Sequence, residues 1–238
     1  MWFSASDIFD TFDTSGTFVL VIFVNFKTYK EATGPRAVEL IQKIVDAQKA
    51  SGVAIIPVVG IADARLCVNT SGYSVWVEHL DSVDSGQSTG WVTVEAVAET
   101  GIAGTFLNHS EHKMADSEWR MANRKCREIG LETAVFASDV EELKKAVLEK
   151  PSFVVIEPPE LIASKNTSIA KAKPDLISDA VKICKDAKVL LVVGAGIKSG
   201  EDVKTSVKLG AMGVAVSSAV VLAQDPYEVL VELAGGFK

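Results

Sequence analysis

Residues Phe153-Val154-Val155-Ile156-Glu157-Pro158-Pro159-Glu160 carry the reading of this chain. Four consecutive apolar residues end at a carboxylate, and the two prolines behind it forbid the chain from continuing as strand or entering a helix at once. Glu157 is therefore expected at the carboxyl end of a buried strand, where its side chain leaves the core and enters a cleft. An acid so placed is poorly solvated, a condition that suits a general base. Taken alone, the same glutamate reads more readily as a strand terminus at the surface. The flanking units decide between the two.

Working outward, the same short apolar runs recur at Phe18 to Phe26, Val53 to Val59, Tyr73 to Val77, Gly104 to Leu107, Glu132 to Phe136, Val189 to Val193 and Gly213 to Val216. Runs of this kind are what a parallel sheet buries on both faces. Helical patterns alternate with them. Ala37, Leu40, Ile41, Ile44 and Val45 form one apolar stripe that Gly52 closes; Trp119, Ala122, Cys126 and Ile129 form another, stopped by Gly130. Ser138 and Glu141 read as a capping box, and Pro174 and Asp225-Pro226 open two further helices.

Eight strand-helix units in succession predict a closed (β/α)8 barrel spanning 18–238 as one domain, with 1–17 an N-terminal extension or an alternative start. The competing architecture is a doubly wound open sheet, suggested by Gly194-Ala195-Gly196-Ile197-Lys198-Ser199-Gly200 after a strand. The dinucleotide fingerprint needs its third glycine where Ser199 stands, and it normally lies in the first unit of such a fold.

Composition narrows the function. A formal charge of -7, with 48% apolar and 23% charged residues, argues against a nucleic-acid partner and leaves room for a small anionic substrate in a local pocket. Cys67, Cys126 and Cys184 are far apart and unpaired in pattern, which reads as buried reduced thiols in a reducing compartment, hence the cytoplasm. The apolar run Phe18 to Val24 is too short to span a membrane, and no Lys or Arg precedes Lys27, so no signal peptide is expected.

In a barrel every strand ends at the same mouth. The strand-end residues are Asn25 and Lys27, then Asn108, His109, Ser110 and Glu111, then Glu157, with the turns Ala195-Gly196-Ile197 and Ser217-Ser218-Ala219. An acid, an imidazole, an ammonium and amide-rich turns suit proton abstraction beside a carbonyl on a phosphorylated substrate. His109 and His112 also form a weak metal-like pair without further ligands.

Asn25-Phe26-Lys27-Thr28-Tyr29, Leu107-Asn108-His109-Ser110-Glu111, Ile156-Glu157-Pro158-Pro159-Glu160-Leu161-Ile162, Lys171-Ala172-Lys173-Pro174 and Gly194-Ala195-Gly196-Ile197 resemble the triosephosphate isomerases of archaeal type, in order from about Val21 to Pro226. The resemblance implies a TIM barrel that interconverts dihydroxyacetone phosphate and glyceraldehyde 3-phosphate without metal or organic cofactor. It implies Glu157 as the proton-shuttling base, His109 as the neutral electrophile, and Lys27 and Asn25 as stabilisers of the enediolate. Glu111 would hold Lys27, with Ser110 in support, and Ile162, Gly196, Ser217 and Ser218 would bind the phosphate. A homodimer or homotetramer is implied as well.

Three places depart from the family pattern: Ala163 to Ser168 replace a glycine-rich lid, Ala219 stands in place of glycine, and Glu78 in place of glutamine. These departures leave open an alternative, a catalytically impaired barrel that binds a phosphorylated metabolite.

Overall fold

Eight short parallel strands, β1 (Val21–Asn25), β2 (Ala54–Val59), β3 (Trp76–Val77), β4 (Gly104–Leu107), β5 (Glu132–Ala137), β6 (Phe153–Ile156), β7 (Leu190–Val193) and β8 (Gly213–Val216), close into a barrel in sequence order. The computed structural model describes residues 20–162 and 167–238; the segment 1–17, Phe18 of the expected first strand, and 163–166 of the altered lid lie outside the described residues. Val21 of β1 pairs with both Ala54 of β2 and Gly213 of β8, so the sheet has no free edge and the open doubly wound alternative falls. Helices follow the strands and cover the outside, among them Pro35–Ser51, Asp116–Glu128, Pro174–Ala187 and Pro226–Gly235.

The period-2 alternation of strands separates two apolar layers. Val21 and Phe23 of β1 face the barrel interior, while Ile22 and Val24 face the helices. Phe23 sits at the centre of the interior, 5.0 Å from the Trp76 ring, 5.5 Å from Phe106 and 5.2 Å from Phe153, mostly edge to face. Tilted and edge-on contacts of this sort add to burial energy. Gly104 gives Trp76 its place, since a Cβ there would lie 2.5 Å from the indole ring.

Local details differ from the sequence expectations at several places, one of them Ile129, which lies past the end of helix Asp116–Glu128 and is 48% exposed instead of completing its buried stripe. Strand three shrinks from Tyr73–Val77 to Trp76–Val77, because the chain leaves helix Ile61–Ser71 through a left-handed Gly72 and the Tyr73 hydroxyl is drawn to Ile55 O at 3.2 Å. Ser138 and Glu141 do not form a capping box before helix Val140–Leu148; the N-cap is Asp139, one residue later. Asp139 accepts the Glu142 N–H at 2.9 Å, and Glu142 accepts the Ser138 N–H at 2.8 Å. A carboxylate binds an orphan helix amide more strongly than a hydroxyl does, and Glu141 is engaged with Lys144 at 2.7 Å on the outer face.

Ser199, which breaks the dinucleotide fingerprint, caps helix Gly200–Lys208 by accepting the Asp202 N–H. All three cysteines are buried free thiols; burial pushes Cys67 up to about 11 and Cys126 and Cys184 to about 12, so they are inert at neutral pH. Among the described residues no helix is long and apolar enough to cross a membrane.

Candidate active site

Parallel strands in sequence order present all their carboxyl ends on one rim, and side chains from distant units meet there. Asn25 is the last residue of β1, and its Oδ1 accepts the main-chain N–H of Lys27 at 3.0 Å. That tight turn holds Lys27 at a left-handed φ of 48°, a conformation that costs a non-glycine residue about 1 kcal/mol or more. The Lys27 ammonium meets Glu111 Oε1 at 2.7 Å. Lys27 is 17% exposed but Glu111 is 53%, so the pair orients the ammonium more than it stabilises the fold.

β4 ends in a second strained turn. Asn108 stands at φ 58°, and its side chain holds the chain on both sides, donating to Phe136 O at 3.0 Å and accepting the Met114 N–H at 3.2 Å. The turn delivers His109 into the cleft, its ring centroid 4.6 Å from that of Phe136. The Glu111 main-chain N–H donates to His109 Nδ1 at 3.1 Å. An amide can only donate, so Nδ1 is the acceptor and the imidazole proton sits on Nε2, aimed at the cleft.

Glu157 faces it. The residue is 9% exposed, and the turn after β6 is fixed by its own N–H to Ala137 O at 2.9 Å and by Gly194 N–H to Ile156 O at 3.0 Å. Glu157 Oε2 lies 3.3 Å from His109 Nε2 without hydrogen-bond alignment, a close approach of the two groups across the cleft. Gly194 makes room for this acid: a Cβ there would stand 2.8 Å from Glu157 Oε1. The next two residues are both left-handed, Ala195 at φ 74° and Gly196 at 71°. A side chain on Gly196 would collide with Thr167 O at 2.4 Å.

The far wall comes from β8. Ser217, Ser218 and Ala219 line the cleft at the start of the single-turn helix Ser218–Val221, whose first amides have no acceptor within the helix. Ala219 is helical and outside the left-handed region, so glycine is not required there. The cleft is open to solvent, and its non-atom space of about 570 Å³ includes that open part.

A family model described as Triosephosphate isomerase matches residues 20–135 and 121–234 of this chain. The chain belongs to the triosephosphate isomerase family. It is 35% identical over 218 residues to the triosephosphate isomerase of Methanocaldococcus jannaschii, covering 90% of this chain and 98% of that one. It is 38% identical to those of Methanothermus fervidus, over 90% of this chain and 96% of the relative, and Methanopyrus kandleri, over 91% and 97%.

Of the residues singled out in the sequence, Asn25, Lys27, His109, Glu157, Ile162, Gly196, Ser217 and Ser218 all line this one cleft. Glu111 stands behind Lys27 and His109, while Ser110 does not line the cleft and its hydroxyl is buried. His112 turns away from His109 and stacks on His79, ring centroids 4.0 Å apart, and among the described residues no three metal-ligating side chains cluster. Immediately after 163–166, the C-terminal flank of this segment is anchored by Ser168 Oγ and Lys171 Nζ on Asp202, at 2.8 and 3.0 Å, and by the ion pair of Lys173 with Glu160. Tyr29 and Lys198 also line the cleft, and neither carried a strand-end signal in the sequence.

Proposed function

We propose that this chain carries out its family's interconversion of dihydroxyacetone phosphate and D-glyceraldehyde 3-phosphate with Glu157 as the base. The carboxylate removes a proton from one carbon beside the carbonyl and returns it to the other, and an enediolate forms between the two transfers. The His109 Nε2–H polarises the carbonyl oxygen and passes a proton between the two oxygens. The Lys27 ammonium and the Asn25 amide stabilise the oxyanion as it develops, and Glu111 keeps Lys27 aimed. No electron leaves the substrate, so the step balances without a redox partner, and we assign no metal or cofactor to it.

The phosphate rests on main-chain amides around Ile162, Gly196, Ser217 and Ser218, at a helix start where such amides lack other acceptors. A positioned base contributes on the order of 10²- to 10⁴-fold, and each oxyanion donor about 3 kcal/mol, so base and donors share the acceleration. The carrying observation is the 3.3 Å approach of Glu157 Oε2 to His109 Nε2 beside the Lys27 ammonium. The chain acts in the cytoplasm, in glycolysis and gluconeogenesis, as a homodimer or homotetramer, with neither nucleic acid nor membrane as partner.

A coupled assay on glyceraldehyde 3-phosphate tests the reading. Glu157→Gln is expected to lose about 10³-fold in kcat while glycerol phosphate still binds by calorimetry. Tight binding of the ester with no turnover by the unaltered enzyme would establish the alternative, a barrel that binds a phosphorylated metabolite without converting it.

A further inference from the structure

Asp202 takes no part in the scheme above, yet it is only 3% exposed and ties together two elements that approach the phosphate end of the cleft. It stands in the first turn of helix Gly200–Lys208, which follows β7. Its two carboxylate oxygens serve different partners. Oδ2 accepts the main-chain N–H groups of Lys198 and Ser199, both at 3.2 Å, and the Ser199 hydroxyl at 3.0 Å, which completes the capping box of its own helix. Oδ1 reaches across to the segment that follows β6, where it accepts the Ser168 hydroxyl at 2.8 Å and pairs with the Lys171 ammonium at 3.0 Å.

Helix capping accounts for Oδ2 and leaves Oδ1 unexplained. Ser168 is 2% exposed and stands at the N-cap of the single-turn helix Ile169–Ala172, where a serine ordinarily accepts an amide of the helix that it opens. It makes no such side-chain cap, and its hydroxyl is directed to Asp202 instead. Burial works to raise the Asp202 carboxyl, but the bonds from Ser168, Lys171, Lys198 and Ser199 outweigh it and hold the group below the usual carboxylate range, so it is an anion. The Lys171 ammonium offsets a negative charge that would otherwise oppose an anionic ligand nearby.

The segment that Oδ1 holds lies on the turn after β7. Ile169 N–H donates to Ala195 O at 3.2 Å, and a Cβ on Gly196 would stand 2.4 Å from Thr167 O and 3.0 Å from Ser168 Cα. Ala195 is left-handed at φ 74°, a strained conformation that persists only where neighbours compel it. The same turn lines the cleft together with Ile162, Ser217 and Ser218, the residues assigned to the phosphate.

We propose that Asp202 is a positioning residue for the substrate's phosphate: by tying Ser168 and Lys171 to the start of helix Gly200–Lys208, it holds Thr167 to Ile169 against the Ala195–Gly196 turn and so fixes the Gly196 amide that meets the phosphate. Asp202 acts through that turn and touches no substrate atom. The inference rests on the reading of Gly196 as part of the phosphate site.

The test compares KM for glyceraldehyde 3-phosphate, the dissociation constant of glycerol phosphate by calorimetry, and the melting temperature, across the unaltered enzyme and its variants. Ser168→Ala takes the hydroxyl from Oδ1 and leaves the capping oxygen engaged. KM and the dissociation constant are expected to rise together about tenfold, the scale of one hydrogen bond to a charged group. Ser199→Ala removes the cap hydroxyl on the Oδ2 side; it is expected to lower the melting temperature at least as far while both constants stay within about twofold of the unaltered enzyme. Asp202→Asn is expected to weaken binding at least as much as Ser168→Ala, and the double variant Ser168→Ala, Asp202→Asn no further than Asp202→Asn alone, because the two changes break one link. Should Asp202→Asn fail to fold, the comparison of Ser168→Ala with Ser199→Ala decides by itself. Unchanged constants in Ser168→Ala, an equal loss of phosphate affinity in Ser199→Ala, or additive losses in the double variant would each overturn the proposal. Glycerol phosphate that does not bind the unaltered enzyme would instead sink the phosphate-site reading, and the inference with it.

Discussion

The lower and upper halves of the barrel interior are built on opposite terms. Below, Phe23, Trp76, Phe106 and Phe153 pack ring against ring at 5.0 to 6.4 Å, and each is almost wholly buried. Above, the strands end in left-handed Lys27, Asn108 and Ala195, and in buried polar atoms on Glu78, Ser110, Glu157 and Ser217 that lack hydrogen-bond partners among the described residues. Strain and unsatisfied polar groups each cost free energy, and they persist only where surrounding structure compels them. The aromatic floor supplies that compulsion. Fold stability resides in the floor, and the capacity for chemistry resides in the rim that it holds taut.

Substitutions should therefore separate the two halves. Trp76→Ala removes the largest floor side chain and is expected to cost about 3 to 5 kcal/mol in urea unfolding, with kcat of the remaining folded fraction within a few-fold of normal. A comparable loss of kcat with unchanged stability would erase the distinction. Gly194→Ala is the converse. Its methyl group would displace the Glu157 carboxyl, now 2.8 Å from that position, so kcat is expected to fall about 10²-fold while the melting temperature moves little. The smallest effect belongs to Ala195→Gly, which relieves the left-handed backbone at φ 74° and offsets part of that gain by loosening the unfolded chain. The net change in unfolding free energy should stay within about 1 kcal/mol, and a large loss would mean that the Ala195 methyl packs more than it strains.

Much of this arrangement was legible beforehand. An apolar run that stops at a polar residue marks a strand end, and Asn25, His109 and Glu157 each carry that mark. Ser199 was legible as a break in the dinucleotide pattern, and its role as a helix cap explains the break. Gly194 was not legible as a steric gauge, since its importance depends on which side chain from the neighbouring strand occupies the space above it. Glu78 could be read only as a departure from the family pattern, because the shielding of its Oε1 from solvent depends on neighbours outside its own strand. The shift of the cap to Asp139 turned on which of two adjacent acceptors reached the helix amide, a matter of angles that composition does not record.

Local rules acting along the chain were enough to determine the eight alternating units, the closed barrel they predict and the set of polar residues delivered to its mouth, because periodicity and strand termination are properties of consecutive residues. What the tertiary structure decided is how those residues meet: the 3.3 Å approach of Glu157 to His109 and the Lys27 to Glu111 pair. Distances across a closed sheet are set by packing between strands far apart in sequence, and so is the solvation of an acid, which makes both invisible until the barrel is closed.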